Sequence, residues 1–462
     1  MTITYGSTRG RAPELTFDEV LLTGLAVDGG LYCPLEVPPL PPLEPGAPYA
    51  AVAEAVMWPF VEGAMDRDVF ARLVAESYRG FRHPDVCPVR DLGEDHWLLE
   101  LFWGPTLAFK DVALQLVGRL LDHALEERGR RVTVLGATSG DTGSAAIEAL
   151  RGRRNIDVLI LHPAGRVSEV QRRQMTTVDD PNIHNVAIEG TFDDCQDLVK
   201  ALFADEVLRA RYNLAAVNSI NWARVMAQIV YYVTAARAVA PDGGPVSFAV
   251  PTGNFGNVLA GWYASRMGLR VDQLIVASNR NDILTRFFET GHLRSEVVVP
   301  SLSPSMDIQV SSNFERLLWE ASDRDGPAVR DLLAVFRATG NVAVPEQWAD
   351  LIRDRFDGVR LDDEGTLAVI REVAERLDVV LDPHTAIGVH AARVARRDPD
   401  VPIISLATAH PAKFPEAISR AIGRVEPLPP FLAELLDRPE RYDALPNREA
   451  VVADHLRQLV AP

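Results

Sequence analysis

From Trp97 to about residue 426 the chain alternates short apolar runs with amphipathic stretches, and this rhythm limits the fold more than any other feature. Apolar runs bounded by turn residues read as buried strands, and the 3.6-period stretches between them as helices. The pattern predicts strands at 98–103, 132–136, 157–162, 184–189, 214–218, 246–250, 273–278, 379–382 and 402–407. Helices are expected at 110–128, 142–152, 168–176, 193–204, 221–239, 257–267, 281–290, 312–321, 363–377, 384–397 and 415–423. Such alternation is the mark of an α/β fold with parallel-rich sheets covered on both faces. So many strands imply two sheets, two lobes and a cleft between them.

The flanks have a different texture. Residues 1–95 carry Asp28-Gly29-Gly30 and a proline cluster from Pro34 to Pro48 before helical patterning begins, and read as a separate amino-terminal module. Residues 96–426 form the core. The stretch from Asp323 to Asp363 reads as a charge-rich, mostly helical insertion, and 427–462 as a proline-studded tail packing across the surface.

A net charge of −17 argues against nucleic acid or an anionic membrane surface as partner, while leaving room for a locally basic site. Cys33, Cys87 and Cys195 are widely spaced, with no C-x-x-C pair or clustered His/Cys ligand set. They read as reduced and buried, no metal site is expected, and the expected setting is cytoplasmic. Nothing in the chain has the length of an apolar membrane span.

Chemistry is expected where strands end. Leu98 to Phe102, the turn Gly104-Pro105 and the apolar helix start from Val112 place Lys110 at a strand-to-helix junction, where an apolar flank suits a nucleophilic or basic amine. A solvated first-turn lysine is the competing reading. Gly136-Ala137-Thr138-Ser139-Gly140-Asp141-Thr142-Gly143 follows a second strand, and its free amides and hydroxyls suit a carboxylate or phosphate. Here the alternative is an ordinary helix capped by Ser139 or Asp141. Thr252-Gly253-Asn254-Phe255-Gly256-Asn257 follows a third strand and forms a nest for a phosphate monoester, matching neither a P-loop nor a dinucleotide fingerprint.

Asn218-Ser219-Ile220-Asn221-Trp222-Ala223-Arg224 offers a guanidinium fork beside hydroxyl and amide donors, or else a capped helix with a surface arginine. Ala407-Thr408-Ala409-His410-Pro411-Ala412-Lys413 adds a hydroxyl, an imidazole and an amine, although His410 reads equally well as a structural histidine. One such loop is weak evidence, but together they describe a site for a phosphorylated cofactor, a second anion and a covalent lysine. Pyridoxal 5'-phosphate meets all three requirements.

With those residues in view, the chain resembles the threonine synthases in the larger form found in many bacteria and fungi, within the fold-type II pyridoxal-phosphate enzymes (the tryptophan synthase β-like fold). The resemblance rests on Ser7-Thr8-Arg9-Gly10, Ala26 to Tyr32, Gly104 to Asp111, Thr138 to Gly143, Ser303 to Ile308 and Ala409 to Phe414. It implies that Lys110 forms the Schiff base and that Gly253, Asn254, Phe255, Gly256 and Asn257 hold the cofactor phosphate. It also implies that Asp141 lies near the cofactor's 3'-oxygen and Thr408 faces its pyridine nitrogen. Thr138, Ser139 and Thr142 would take the substrate carboxylate, and Asn218, Ser219 and Arg224 the substrate phosphate. Lys413, Ser305 and Asn313 are expected in supporting roles.

The implied activity is that of a lyase in threonine biosynthesis, turning O-phospho-L-homoserine and water into L-threonine and phosphate by γ-elimination and β-addition. The implied enzyme is a monomer, with a dimer as the alternative. A serine or threonine dehydratase, or another β-elimination or replacement enzyme, is the nearest rival and needs no second phosphate site. A synthase-like binding protein without turnover is the rival of another class.

Overall fold

Six consecutive buried residues, Val246–Pro251, make a strand with no solvent face, the pattern of a central strand in a parallel sheet. In the computed structural model, which describes residues 2–216 and 219–460, this strand lies inside a six-stranded sheet. The order is Phe356–Arg360, Val271–Ser278, Val246–Pro251, Ile403–Ala407, His96–Glu100 and Val89–Asp91. Neighbours run parallel except the last pair, which is antiparallel. The sheet belongs to the first of two units, Met1–Phe109 with Ser219–Glu426; the second is Lys110–Asn218 with Pro427–Pro462.

Strand alternation decides which helix covers which face of the first sheet. Ala249, Ile275, Ala277 and Ile403 point to one side and pack against Ile387, Ala391 and Ala392 of the helix Pro383–Ala395. On the other side Phe248 meets the ring of Tyr232 at 4.8 Å, so the helix Trp222–Val239 lies there. The helix Gly256–Arg266 shares that face, with Gly261 close to Tyr232 and Leu274.

The amino-terminal residues of this unit are tied in by charge. Tyr5–Ser7 pairs antiparallel with Tyr32–Pro34, and the next residues reach the helix Phe314–Ala321. Arg9 donates from Nε and Nη2 to the two oxygens of Glu315 at 3.0 and 2.9 Å, and the Thr8 hydroxyl donates to the same carboxylate at 2.6 Å. Both charged side chains are less than a tenth exposed. Removing one partner of such a pair strands a buried charge, at a cost of about 3–5 kcal/mol. Arg9→Met alone and Glu315→Leu alone should therefore each lower the thermal midpoint, while the double variant recovers most of the loss; additive losses would show that the pair is not coupled.

The second unit is built on a five-stranded parallel sheet ordered Asp443–Pro446, Ile183–Glu189, Ile156–Pro163, Val132–Ala137 and Leu214–Ala215. On one face Leu135, Leu159, Leu161, Val186 and Ile188 pack against Cys195, Leu198 and Leu202, and against Val452 and Leu456. The helices Lys110–Glu127 and Asp141–Leu150 also belong to this unit; they approach so closely at Gly118 that a Cβ there would stand 2.6 Å from the Ala149 carbonyl oxygen.

Several elements differ from the sequence reading. The tail does more than pack across a surface: Asp443–Pro446 is an edge strand of the second unit's sheet, and Glu449–Leu459 sends Val452 and Leu456 into that unit's core. Within Asp323 to Asp363, two helices are joined by a short strand, and Phe356–Arg360 follows as the edge of the six-stranded sheet. Residues 379–382 form no strand, because Asp382 caps and Pro383 opens the next helix. No helix among the described residues is long and apolar enough to cross a membrane.

Candidate active site

Leu107 sits at φ +58 just after the Gly104-Pro105 turn, and this left-handed residue swings the chain so that Lys110 becomes the first residue of its helix. Lys110 is buried, 7% exposed, so the reading of a solvated lysine is wrong. Its Nζ stands 3.7 Å from Oδ2 of Asp141, which is 5% exposed at the start of the helix Asp141–Leu150. The other carboxylate oxygen of Asp141 accepts from Nε2 of Gln171 at 2.8 Å.

The loop before Asp141 is held by Thr138 rather than by Ser139 or Asp141. Thr138 Oγ1 accepts from the amides of Gly140 and Gly143 at 3.0 and 2.9 Å and donates to the Gly140 carbonyl at 3.2 Å. Its hydroxyl is thus committed to the loop's own backbone. Ser139 is exposed and Thr142 half-buried, and both stand at the amino end of a ten-residue helix whose first amides lack intrahelical acceptors. That end of the helix is suited to an anion.

In the first unit the strand Val246–Pro251 runs into Thr252-Gly253-Asn254-Phe255, with Phe255 left-handed at φ +62 before the helix Gly256–Arg266. A left-handed residue before a helix turns successive amides toward one point, which makes a phosphate nest. The carbonyls face elsewhere. Ser311 Oγ donates to the Gly253 carbonyl at 2.7 Å, and Asn313 donates to the Asn254 carbonyl from N at 3.1 Å and from Nδ2 at 2.9 Å. Gly253 is obligatory for another reason: a Cβ there would lie 2.7 Å from the Ser305 carbonyl oxygen. Asn257 accepts from the hydroxyls of Tyr231 and Tyr232 at 2.5 and 3.0 Å, which fixes its amide and leaves Nδ2 buried without a partner among the described residues.

Arg224 lies in the first turn of the helix Trp222–Val239 and is 5% exposed, not a surface arginine. Its Nε and Nη1 are buried and have no hydrogen-bond partner among the described residues, and burial pulls the guanidinium down to about 10. Asn221, not Ser219, caps this helix by accepting from the Ala223 amide at 3.0 Å. The carbonyl of Ser219 accepts from Asn313 Nδ2 at 3.1 Å, so one asparagine ties the Ser219 loop to the Gly253–Asn257 nest. Asn218 lies outside the described residues.

Thr408 follows the strand Ile403–Ala407 and is held through its backbone. Its carbonyl accepts from the Phe109 amide at 2.8 Å, and its amide donates to Thr385 Oγ1 at 3.1 Å. Thr385 in turn donates to Asp382, which also accepts from His384 Nδ1 at 2.8 Å. His384 Nε2 accepts from the Ser305 amide at 3.4 Å, linking Thr408 to the segment packed on Gly253. None of these bonds uses the Thr408 hydroxyl. Lys413 is fully buried and donates to the Thr106 carbonyl at 2.7 Å, bracing the segment that leads to Lys110. His410 accepts from the Ala412 amide at 3.2 Å, and burial pushes its imidazole down to about 4, so it is a neutral cap.

The sequence reading missed Gln171, Asp382, His384 and Thr385. Asp382-Pro383 carries a helix-start signal and nothing more specific, and Gln171 is one polar residue among many in its helix.

Each unit by itself holds features suited to pyridoxal phosphate: the second a buried amine beside a carboxylate, the first a nest closed to any side chain at Gly253, with an Asn257 amide unsatisfied among the described residues. The comparisons point the same way. The family described as pyridoxal-phosphate dependent enzyme matches residues 87–335, threonine synthase N terminus matches 4–78, and threonine synthase, C-terminal matches 385–456. A threonine synthase of Pseudomonas aeruginosa is 54% identical over 98% of both chains. The crystal structure of PLP-bound threonine synthase from Brucella melitensis superposes with a TM-score of 0.97, at 48% identity over 100% of each chain. The yeast threonine synthase structure gives 0.93 at 36% identity, covering 99% of this chain and 98% of that one. The chain belongs to the threonine synthase family of pyridoxal-phosphate-dependent enzymes.

Proposed function

We propose that the protein converts O-phospho-L-homoserine and water into L-threonine and inorganic phosphate. The observation that carries this reading is the pair of anion-holding features in the first unit. The Gly253–Asn257 nest suits the phosphate of the cofactor, and the Arg224 guanidinium, whose Nε and Nη1 have no partner among the described residues, suits a second phosphate. A dehydratase, which eliminates water from Cβ, has no use for the second.

Pyridoxal phosphate, when bound, supplies an electron sink that lets protons be drawn from substrate carbon. Lys110 is the residue that bonds it covalently, and the same amine moves protons at substrate Cα. Asp141 is assigned to the cofactor's 3'-oxygen, the Thr408 hydroxyl to its pyridine nitrogen, and the amides of Gly253, Asn254, Phe255, Gly256 and Asn257 to its phosphate. Ser139 and Thr142 take the substrate carboxylate on a loop that Thr138 shapes. Arg224, with Ser219 and Asn218, holds the substrate phosphate and stabilises the charge it gains on leaving. The three buried free cysteines suit a reducing compartment, and the proposed setting is the cytoplasm.

The test is stoichiometric. Purified protein with pyridoxal phosphate and O-phospho-L-homoserine should release phosphate and L-threonine in equal amounts. Phosphate without threonine would mean elimination alone. Neither product would favour a binding protein.

A further inference from the structure

We propose that Gln171 is a positioning residue for the Asp141 carboxylate, and that the carboxyl-terminal segment around Glu440 holds Gln171 in place. This rests on the reading that Lys110 carries the cofactor with Asp141 beside it. The orientation of the Gln171 amide is settled by chemistry. The Asp141 carboxylate only accepts, so the amide atom 2.8 Å from its Oδ1 is the donor Nε2, and Oε1 is left to accept from Ser168 Oγ at 2.9 Å. With one carboxylate oxygen so occupied, the other is turned to its position 3.7 Å from Lys110 Nζ. Gly140, at φ +150, passes flat against the same amide: a Cβ there would lie 2.6 Å from Gln171 Cδ and Oε1. The loop that carries Asp141 is therefore shaped around the glutamine.

The helix bearing Gln171, Glu169–Thr176, is short and strongly polar, and among its buried residues only Met175 is apolar. Its position is set by charge instead. Arg172 donates to both oxygens of Glu440 at 2.8 and 3.0 Å, and the Thr176 hydroxyl donates to Glu440 Oε2 at 2.7 Å. Arg173 Nη1 reaches the carbonyls of Leu435 and Arg438, each at 3.3 Å, and the Arg441 amide donates to the Thr176 carbonyl at 2.6 Å. Glu440 leads directly into Asp443–Pro446, the edge strand of the same sheet. A continuous path thus runs from the end of the chain through Glu440, the short helix and Gln171 to Asp141.

A neutral donor suits this place because it orients the carboxylate without adding charge. Gln171→Met keeps the length and removes the donor, which makes Asp141 hold a proton more tightly. Gln171→Glu keeps the size and adds a second anion, which does so more strongly. In the cofactor-loaded enzyme the pH titration of the bound cofactor's visible absorbance should move upward by about one pH unit in Gln171→Met and further in Gln171→Glu. Turnover should fall about 10- to 100-fold, with KM for O-phospho-L-homoserine little changed because Gln171 touches no substrate. Glu440→Gln should shift the same titration in the same direction by less, and speed amide hydrogen exchange across residues 169–176. A purely structural glutamine would lower stability and leave the titration where it was, and that result in Gln171→Met overturns the proposal. Should Gln171→Met fail to accumulate, Gln171→Glu carries the test alone, and an unmoved titration there overturns it equally. If the wild type shows no cofactor absorbance, the assignment of Lys110 fails first.

Discussion

Lys110→Ala is expected to give a folded protein that forms no covalent bond to pyridoxal phosphate and makes threonine at least about 10⁴-fold more slowly than wild type. The fold should survive. Alanine is the best helix former for the first turn, and Asp141 keeps its bond from Gln171 when the amine is gone. Loss of the cation beside the buried Asp141 should lower the thermal midpoint without cofactor, while the visible absorbance of loaded enzyme disappears. Lys110→Arg separates charge from chemistry. It retains a cation beside Asp141, yet a guanidinium does not give up its proton and cannot serve as an amine nucleophile. It should be as inactive as the alanine variant. Wild-type turnover in either variant would refute the placement of the chemistry at this residue.

The residues proposed for this site that a sequence can single out are those where fold and chemistry use the same signal. In a parallel sheet every strand-to-helix loop opens at the carboxyl end of its strand. Finding apolar runs followed by Gly, Ser, Thr and Asn was therefore enough to single out Thr138–Thr142, Gly253–Asn257 and Thr408, and the strand–turn–helix pattern did the same for Lys110. Residues with two ordinary explanations were not legible. Asp382, Pro383 and Thr385 are what any helix start looks like, and only the bond from the Thr408 amide, 23 residues away, reveals what Thr385 supports. Gln171 reaches Asp141 across 30 residues. The resemblance gives Thr138 to the substrate carboxylate, and nothing in a sequence shows that its hydroxyl also holds the loop's own amides.

The fold errors have the same origin. Phe356–Arg360 contains a glycine and ends in arginine, so it lacks the apolar run of a central strand; as an edge strand it needs none. Val379, Val380 and Leu381 have the apolar run and still form no strand. Their side chains fill a cluster with Leu98 and Ala407 while their backbone leads into the helix that Pro383 opens. Hydrophobicity decides burial, whereas hydrogen-bond partners decide strands.

Arg224→Met is expected to raise the thermal midpoint while lowering kcat/KM for O-phospho-L-homoserine by about 10²- to 10³-fold. The two effects have one cause. Burying a guanidinium whose Nε and Nη1 find no acceptor among the described residues is costly, and its depression to about 10 by burial expresses the same cost. At neutral pH the group is still charged, so the folded protein carries the strain until an anion arrives. Methionine of similar length removes the charge and fills the space, and exchanging buried charge for apolar volume commonly gains about 1–4 kcal/mol. The arginine is therefore kept for what it binds. Inorganic phosphate supplies the decisive control. In the cofactor-loaded protein, where the Gly253–Asn257 nest is already taken, it should stabilise the wild type, by about 2.7 kcal/mol at a hundredfold excess over its Kd, and leave Arg224→Met where it was. A variant that is less stable than wild type, and still protected by phosphate, would show that the guanidinium is a structural strut and that the second phosphate sits elsewhere.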